Sequence, residues 1–148
     1  MTDEELMGEA LKEARIAFDE GEVPVGAVVV LDGRIIGRGH NERERKLDVS
    51  SHAEIEAIKD AERNLGRWTL DGAAIYVTLE PCLMCAAAIS QARIFRLVYG
   101  ADDPTMGAVA SHHFVYGDPS LQSRPLVTSG VRKEECSALL ERFFKERR

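Results

Sequence analysis

The stretch AAIYVTLEPCLMCAAAISQARIFRLVY, residues 73–99, narrows the fold more than any other part of this 148-residue chain. Its two ends are short apolar runs rich in β-branched and aromatic residues, the composition of strands. Between them there is room for a helix of only about ten residues, with Pro81 as its first helical position. Strand, short helix and strand in that order fit a right-handed parallel crossover. Parallel strands are buried on both faces, so the rest of the chain has to supply covering helices.

It has the material to do so. Leu6, Met7, Ala10, Leu11, Ala14, Ala17 and Phe18 recur at helical spacing, with Gly21 as a stop. Val25–Leu31 is a nearly continuous β-branched run, the pattern of a strand buried on both faces. Asp32-Gly33 is a hairpin turn signal, and Arg34–His40 returns as the antiparallel partner. Residues 51–64 read as a second helix, started by Ser50 or Ser51, with Ala53, Ile55, Ala57, Ile58 and Ala61 as its apolar content. After the crossover, whose last strand spans 94–99 and ends at Gly100, residues 102–130 are turn-rich. A short β segment is expected near Leu126–Thr128, then a helix over 134–147 with Cys136, Leu139, Leu140, Phe143 and Phe144 on one side. With no repeat or linker to divide them, residues 1–148 read as a single three-layer α/β/α domain on a mixed central sheet.

Composition sets the surroundings. The chain is 45% hydrophobic and 30% charged, ordinary for a soluble domain, and no run approaches the roughly 18 apolar residues of a membrane span. The start, MTDEELMGEA, is acidic where a secretory signal is basic and then apolar. A cytoplasmic, membrane-free location follows, in which thiols stay reduced and three cysteines make no disulfide framework. A net charge of -6 disfavours a protein that coats nucleic acid without specificity. The charge is uneven, however: residues 1–22 are strongly acidic, whereas 132–148 carry six basic residues against four acids. One basic edge therefore remains available.

Cys82-x-x-Cys85 by itself suits a thiol redox pair, half a structural zinc knuckle, an iron–sulfur ligand pair or part of a catalytic zinc site. Catalytic zinc keeps one position for water and needs three protein ligands, so two cysteines must recruit a third. Among His40, His52, His112 and His113, only His52 lies at an expected helix start, two residues before Glu54. If both helices begin at the same sheet edge, His52, Cys82 and Cys85 converge where free N–H groups favour thiolates. Blander readings exist for each part: Glu54 completes a capping box with Ser51, and Cys136 fills the core. A thioredoxin-like pair explains neither Pro81 before the first cysteine nor a His-x-Glu on another helix start. A four-cysteine site within one chain is excluded, because Cys136 is the only cysteine left and lies on the apolar side of its helix. A structural zinc in a non-catalytic interaction protein has no use for Glu54.

Taken together, His52-Ala53-Glu54 and Pro81-Cys82-Leu83-Met84-Cys85 resemble the H-x-E…P-C-x-x-C signature of the zinc-dependent nucleoside and nucleobase deaminases. EVPVGAVVV (22–30), GHN (39–41), SHAEIEA (51–57), YVTLEPCLMCAAAI (76–89), YGADD (99–103) and ECSALLERFF (135–144) look like the bacterial tRNA adenosine deaminases. The resemblance implies a cytidine deaminase-like fold and hydrolytic conversion of the wobble adenosine of an anticodon to inosine. It implies Zn2+ held by His52, Cys82 and Cys85, and Glu54 as proton shuttle. Asn41 matches a base-contacting asparagine, and Val25, Ala53 and Pro81 match pocket walls. Phe143 and Phe144 suit a stacking edge for flipped anticodon bases, with Phe144 taken as the substrate contact. A tRNA anticodon stem-loop and a second copy of the chain, in a homodimer, are the implied partners. Two stretches depart from the family: Asp103-Pro104-Thr105-Met106-Gly107 lacks its lysine, and Leu121-Gln122-Ser123 replaces its Leu-Asn-His. Both lie on the nucleic-acid side, so a deaminase of a free aminopurine such as guanine is the competing expectation. His112-His113 reads as an exposed loop pair.

Overall fold

Helix α1 (Asp3–Asp19) starts with a capping box: Thr2 Oγ1 accepts from the Glu5 N–H, and the Glu5 carboxylate accepts from the Thr2 N–H. In the computed structural model, which describes residues 1–147, it is followed by the hairpin β1 (Gly26–Leu31) and β2 (Arg34–His40). Asp32 and Gly33 both have positive φ, 51° and 75°, as a type I′ turn demands. A short helix α2 (Arg43–Lys46) leads to α3 (Ala53–Leu65), and the crossover is β3 (Ala74–Leu79), α4 (Leu83–Gln91) and β4 (Arg96–Ala101). A 3-10 turn at Val115–Gly117, the edge strand β5 (Leu126–Thr128) and α5 (Lys133–Glu146) complete the chain.

The strands form one mixed sheet in the order β2-β1-β3-β4-β5. β1 runs antiparallel to β2 and β3, whereas β3–β4 and β4–β5 are parallel. Alternation along the strands divides the core in two. Val28, Tyr76 and Val98 face Leu6, Met7 and Leu11 of α1 and Cys136 of α5. Val29, Ile75, Val77 and Leu97 face Ala57 and Ile58 of α3 and Ala86 and Ile89 of α4. The expected three-layer α/β/α architecture on a mixed sheet is what forms.

Several local expectations give way to tertiary contacts. The N-cap of α3 is His52, not Ser50 or Ser51, and the Ser51–Glu54 capping box does not form: Ser51 Oγ is buried without a partner. Pro81 precedes the cap of α4, which is Cys82, and so is not the first helical residue. Gly100 does not end β4. The strand continues to Ala101, and a Cβ at Gly100 would strike Cys136 Sγ, so the glycine lets α5 approach the sheet. The strand also starts later than Ile94, at Arg96, because Arg93 turns through a left-handed conformation. Helix α2 carries no apolar periodicity and was not expected. Cys136 is core, 1% exposed, as read from the sequence, and Arg148 of the basic tail lies outside the described residues. No helix among the described residues is long and apolar enough to cross a membrane.

Two glycines of β2 bring α3 close. A Cβ at Gly37 or Gly39 would meet backbone atoms of Ala53, Ala57 and Ala61. Backbone cannot swing aside as a side chain does, so Gly39→Ala is expected to cost about 3 kcal/mol, the upper end of overpacking penalties, read from the urea midpoint.

The last residue of β2 fastens this edge to α1. His40 Nδ1 lies 3.3 Å from Glu13 Oε1, and Nε2 lies 3.0 Å from Glu20 Oε1 and 3.9 Å from Glu42 Oε1. Arg38 and Arg45 share these carboxylates. The bond to Glu13, aided by Glu42 and Glu20, raises the imidazole above its ordinary 6.5. A raised folded value means the stabilisation is complete below that ordinary value and fades as pH climbs through the folded one. His40→Gln is therefore expected to remove a decline in stability between mildly acid and mildly alkaline pH. Parallel wild-type and variant urea profiles would contradict it.

Candidate active site

Sheet topology assembles the site. The carboxyl ends of β2, β3 and β4 and the amino end of antiparallel β1 lie at one edge, so Asn41, Glu80, Asp103 and Val25 arrive together. Helices α3 and α4 both start there, capped by His52 and Cys82, and neither cap side chain bonds its own helix. Those side chains are free to face each other. His52 Nδ1 is 3.6 Å from Cys82 Sγ and 3.5 Å from Cys85 Sγ, one turn further along α4.

The three groups perturb one another's protonation. The neighbouring Cys85, and after it His52, pull the Cys82 thiol down to about 4 despite burial. The contact with Cys82 and its own burial push the Cys85 thiol far up. His52 is raised chiefly by Cys82. Two thiols facing each other share one negative charge, and a cation between them lets both ionise. One nitrogen and two sulfurs within 4.8 Å of one another can hold a metal ion, and this donor set fits a borderline-soft divalent one. A second close group, Glu20, His40 and Glu42, is already engaged by Arg45.

Beside the donors opens a cavity of about 310 Å³, at the small end of ligand sites. Glu54 lines it, 4% exposed, and burial pushes its carboxyl up to about 7. Asn41 also lines the cavity: its Nδ2 donates to Val23 O and its Oδ1 accepts from the Arg43 N–H. Each group keeps one further hydrogen-bonding position for a ligand. Val25 and Ala53 line the cavity too. Pro81 stands behind the lining, buried, with its carbonyl accepting from Ala108 N–H. Phe144 is outside the cavity, 48% exposed on α5, whereas Phe143 is buried against Phe18. His112 and His113 are exposed in their loop, ring against ring.

Sequence reading missed the groups that hold the rims. Buried Glu22 accepts from the N–H groups of Glu44 and Arg45, which fixes α2 and sets Arg43 at the cavity. Buried Glu80 accepts from backbone N–H groups of residues 103 and 109–111. Their signal was weak: each is a single acid beside an apolar strand, where burial is unexpected without a partner.

A mixed sheet that brings His-x-Glu and Pro-Cys-x-x-Cys to one edge defines the deaminase class. The MafB19-like deaminase family matches residues 1–148. A tRNA-specific adenosine deaminase of Agrobacterium fabrum (strain C58) is 52% identical over 94% of this chain and 91% of its own length. A solved structure from work on A-to-I editing by tRNA:A34 deaminases at the wobble position superimposes with a TM-score of 0.90 at 51% identity, covering 92% of this chain and 99% of that one. A guanine deaminase from Bacillus subtilis is more distant, with a TM-score of 0.67 at 32% identity over 99% of this chain and 94% of its own. The chain belongs to the MafB19-like deaminases and, among them, shares the cytidine deaminase-like fold and about half of its sequence with the tRNA-specific adenosine deaminases.

The donor geometry predicts about one metal equivalent per chain after zinc supplementation, falling toward background in Cys85→Ala. Elemental analysis decides it, and unchanged metal content in that variant would refute the ligand set.

Proposed function

We propose that this protein hydrolytically deaminates the wobble adenosine of a tRNA anticodon to inosine, releasing ammonia, with zinc held by His52, Cys82 and Cys85. The observation that carries the proposal is the meeting of these three donors with Glu54 and Asn41 at one cavity. The names of the similar proteins support the substrate class. Bound zinc supplies a Lewis acid that makes water nucleophilic near neutral pH.

The chain's own residues supply the rest. Glu54 is buried at the cavity wall, where it would meet a water and the ring that water attacks. Its carboxylate takes a proton from that water and delivers it to N1 of the adenine, which makes C6 electrophilic. Carrying the water's second proton to the departing amine then releases ammonia. One carboxylate serves as base and acid in turn because the two transfers are sequential. Asn41 offers a donor and an acceptor to the edge of the base, and Val25 and Ala53 exclude water from its faces. Phe144 and the basic residues of α5 provide a stacking and phosphate-contacting surface outside the cavity. Residues 1–148 act as a single domain, in the cytoplasm and as a homodimer. Exposed Leu83 and Phe114, near the start of α4, are apolar surface that a second copy would cover.

The experiment is to incubate the purified protein with an arginine-type anticodon stem-loop RNA and, separately, with adenosine, adenine and guanine. Inosine in the RNA alone supports the proposal, and ammonia from guanine alone replaces it with the aminopurine reading. Glu54→Ala should retain metal and fold while losing between about 100-fold and 10,000-fold in kcat, the range for a removed acid–base group.

A further inference from the structure

Between β4 and β5 the only regular element is the 3-10 turn at Val115–Gly117, and the first part of the segment, residues 102–113, closes one side of the cavity. Asp103 and Met106 line the cavity from this loop. The loop's contacts converge on one side chain of the preceding crossover. Glu80 Oε1 accepts from Asp103 N–H at 3.1 Å and from the Ser111 hydroxyl. Glu80 Oε2 accepts from the N–H groups of Val109, Ala110 and Ser111, at 3.1, 2.8 and 3.0 Å. Five donors meet a carboxylate with about four lone-pair sites, so none remains for substrate. Gly107 is shaped to the same centre, because a Cβ there would collide with the Glu80 carboxylate. Asp103 Oδ1 in turn accepts from Thr105 and Met106 N–H groups, both at 3.1 Å.

We infer that Glu80 is a positioning residue for substrate binding: through the 103–111 backbone it holds Asp103 and Met106 against the RNA in the deaminase reaction proposed above. The inference rests on that reading. The proposed metal ligands and Glu54 lie on α3 and α4; Glu80 stands two residues before Cys82, and the loop's bond nearest that centre, Ala108 N–H to Pro81 O, is to backbone, so loosening the loop changes how substrate is held more than how it reacts. A group that merely stabilised the fold would leave KM for the folded enzyme unchanged.

Glu80→Gln keeps the shape and one oxygen but replaces the other with a donor, which leaves an N–H of the loop unmet. With an anticodon stem-loop RNA, KM is expected to rise about tenfold or more while kcat changes far less. Amide hydrogen exchange should accelerate at residues 109–111 and not in β3. Ser111→Ala removes a single donor and should give the same split at smaller amplitude, which keeps the test open if Glu80→Gln folds poorly. A fall in kcat at constant KM, or unchanged exchange at 109–111, would overturn the inference. If the wild-type protein is inactive on the RNA, the proposed function fails, whereas the exchange measurement still decides whether Glu80 holds the loop.

Discussion

Two thiols and an imidazole held within contact distance are the constraint on which the site depends. A cation held among the three lets both thiols ionise beside the imidazole. Their meeting requires two helices to begin at one sheet edge with their cap side chains turned outward from the helix. It also requires α3 to lie unusually close to β2, which the side-chain-free faces of Gly37 and Gly39 permit. The parallel β3–α4–β4 unit delivers the cysteines, and the antiparallel hairpin delivers Asn41 and Val25 to the same place.

Around that centre, irregular backbone is held by buried carboxylates. Glu22 fastens the α2 segment behind Asn41 and Arg43, and Glu80 fastens the loop that carries Asp103 and Met106. Burial alone would raise the Glu80 carboxyl, yet the donors at Ala110, Ser111 and Asp103 hold it below the usual carboxylate range. A charge taken from water is tolerable only when it is so surrounded. The same economy appears at both rims: one acid orders several residues that have no ladder of their own. Substrate contacts in such a site belong to loops, and rigid acceptors under the loops give them definite positions.

Legibility followed the range of the interactions. The Asp32-Gly33 turn, the amphipathic α1 and the crossover were visible because turn chemistry and periodicity act over a few residues. His52, Glu54, Cys82 and Cys85 stood out because their types and spacing occur together for one kind of chemistry, although no single one was decisive. Caps were misread for an instructive reason. Serine is the better N-cap by propensity, but the α3 cap is His52, whose side chain is turned to the thiols instead of the helix. Helix α2 has no apolar stripe and owes its place to Glu22, some twenty residues earlier in the chain, so nothing local announced it. Phe143 and Phe144 are neighbours with opposite fates, one packed on Phe18 and one in solvent, and helical periodicity alone left the choice open.

By itself the sequence determined the types of the larger elements, the mixed-sheet class and a set of candidate donor residues. These depend on side-chain chemistry and on spacing within single elements. Only the tertiary structure decided that His52 faces both cysteines, that Asn41 and Glu54 share a cavity, and that Glu80 gathers the 103–111 loop. Those relations join groups 13 to 33 residues apart, and they exist only once the sheet has closed the distance between its strand ends.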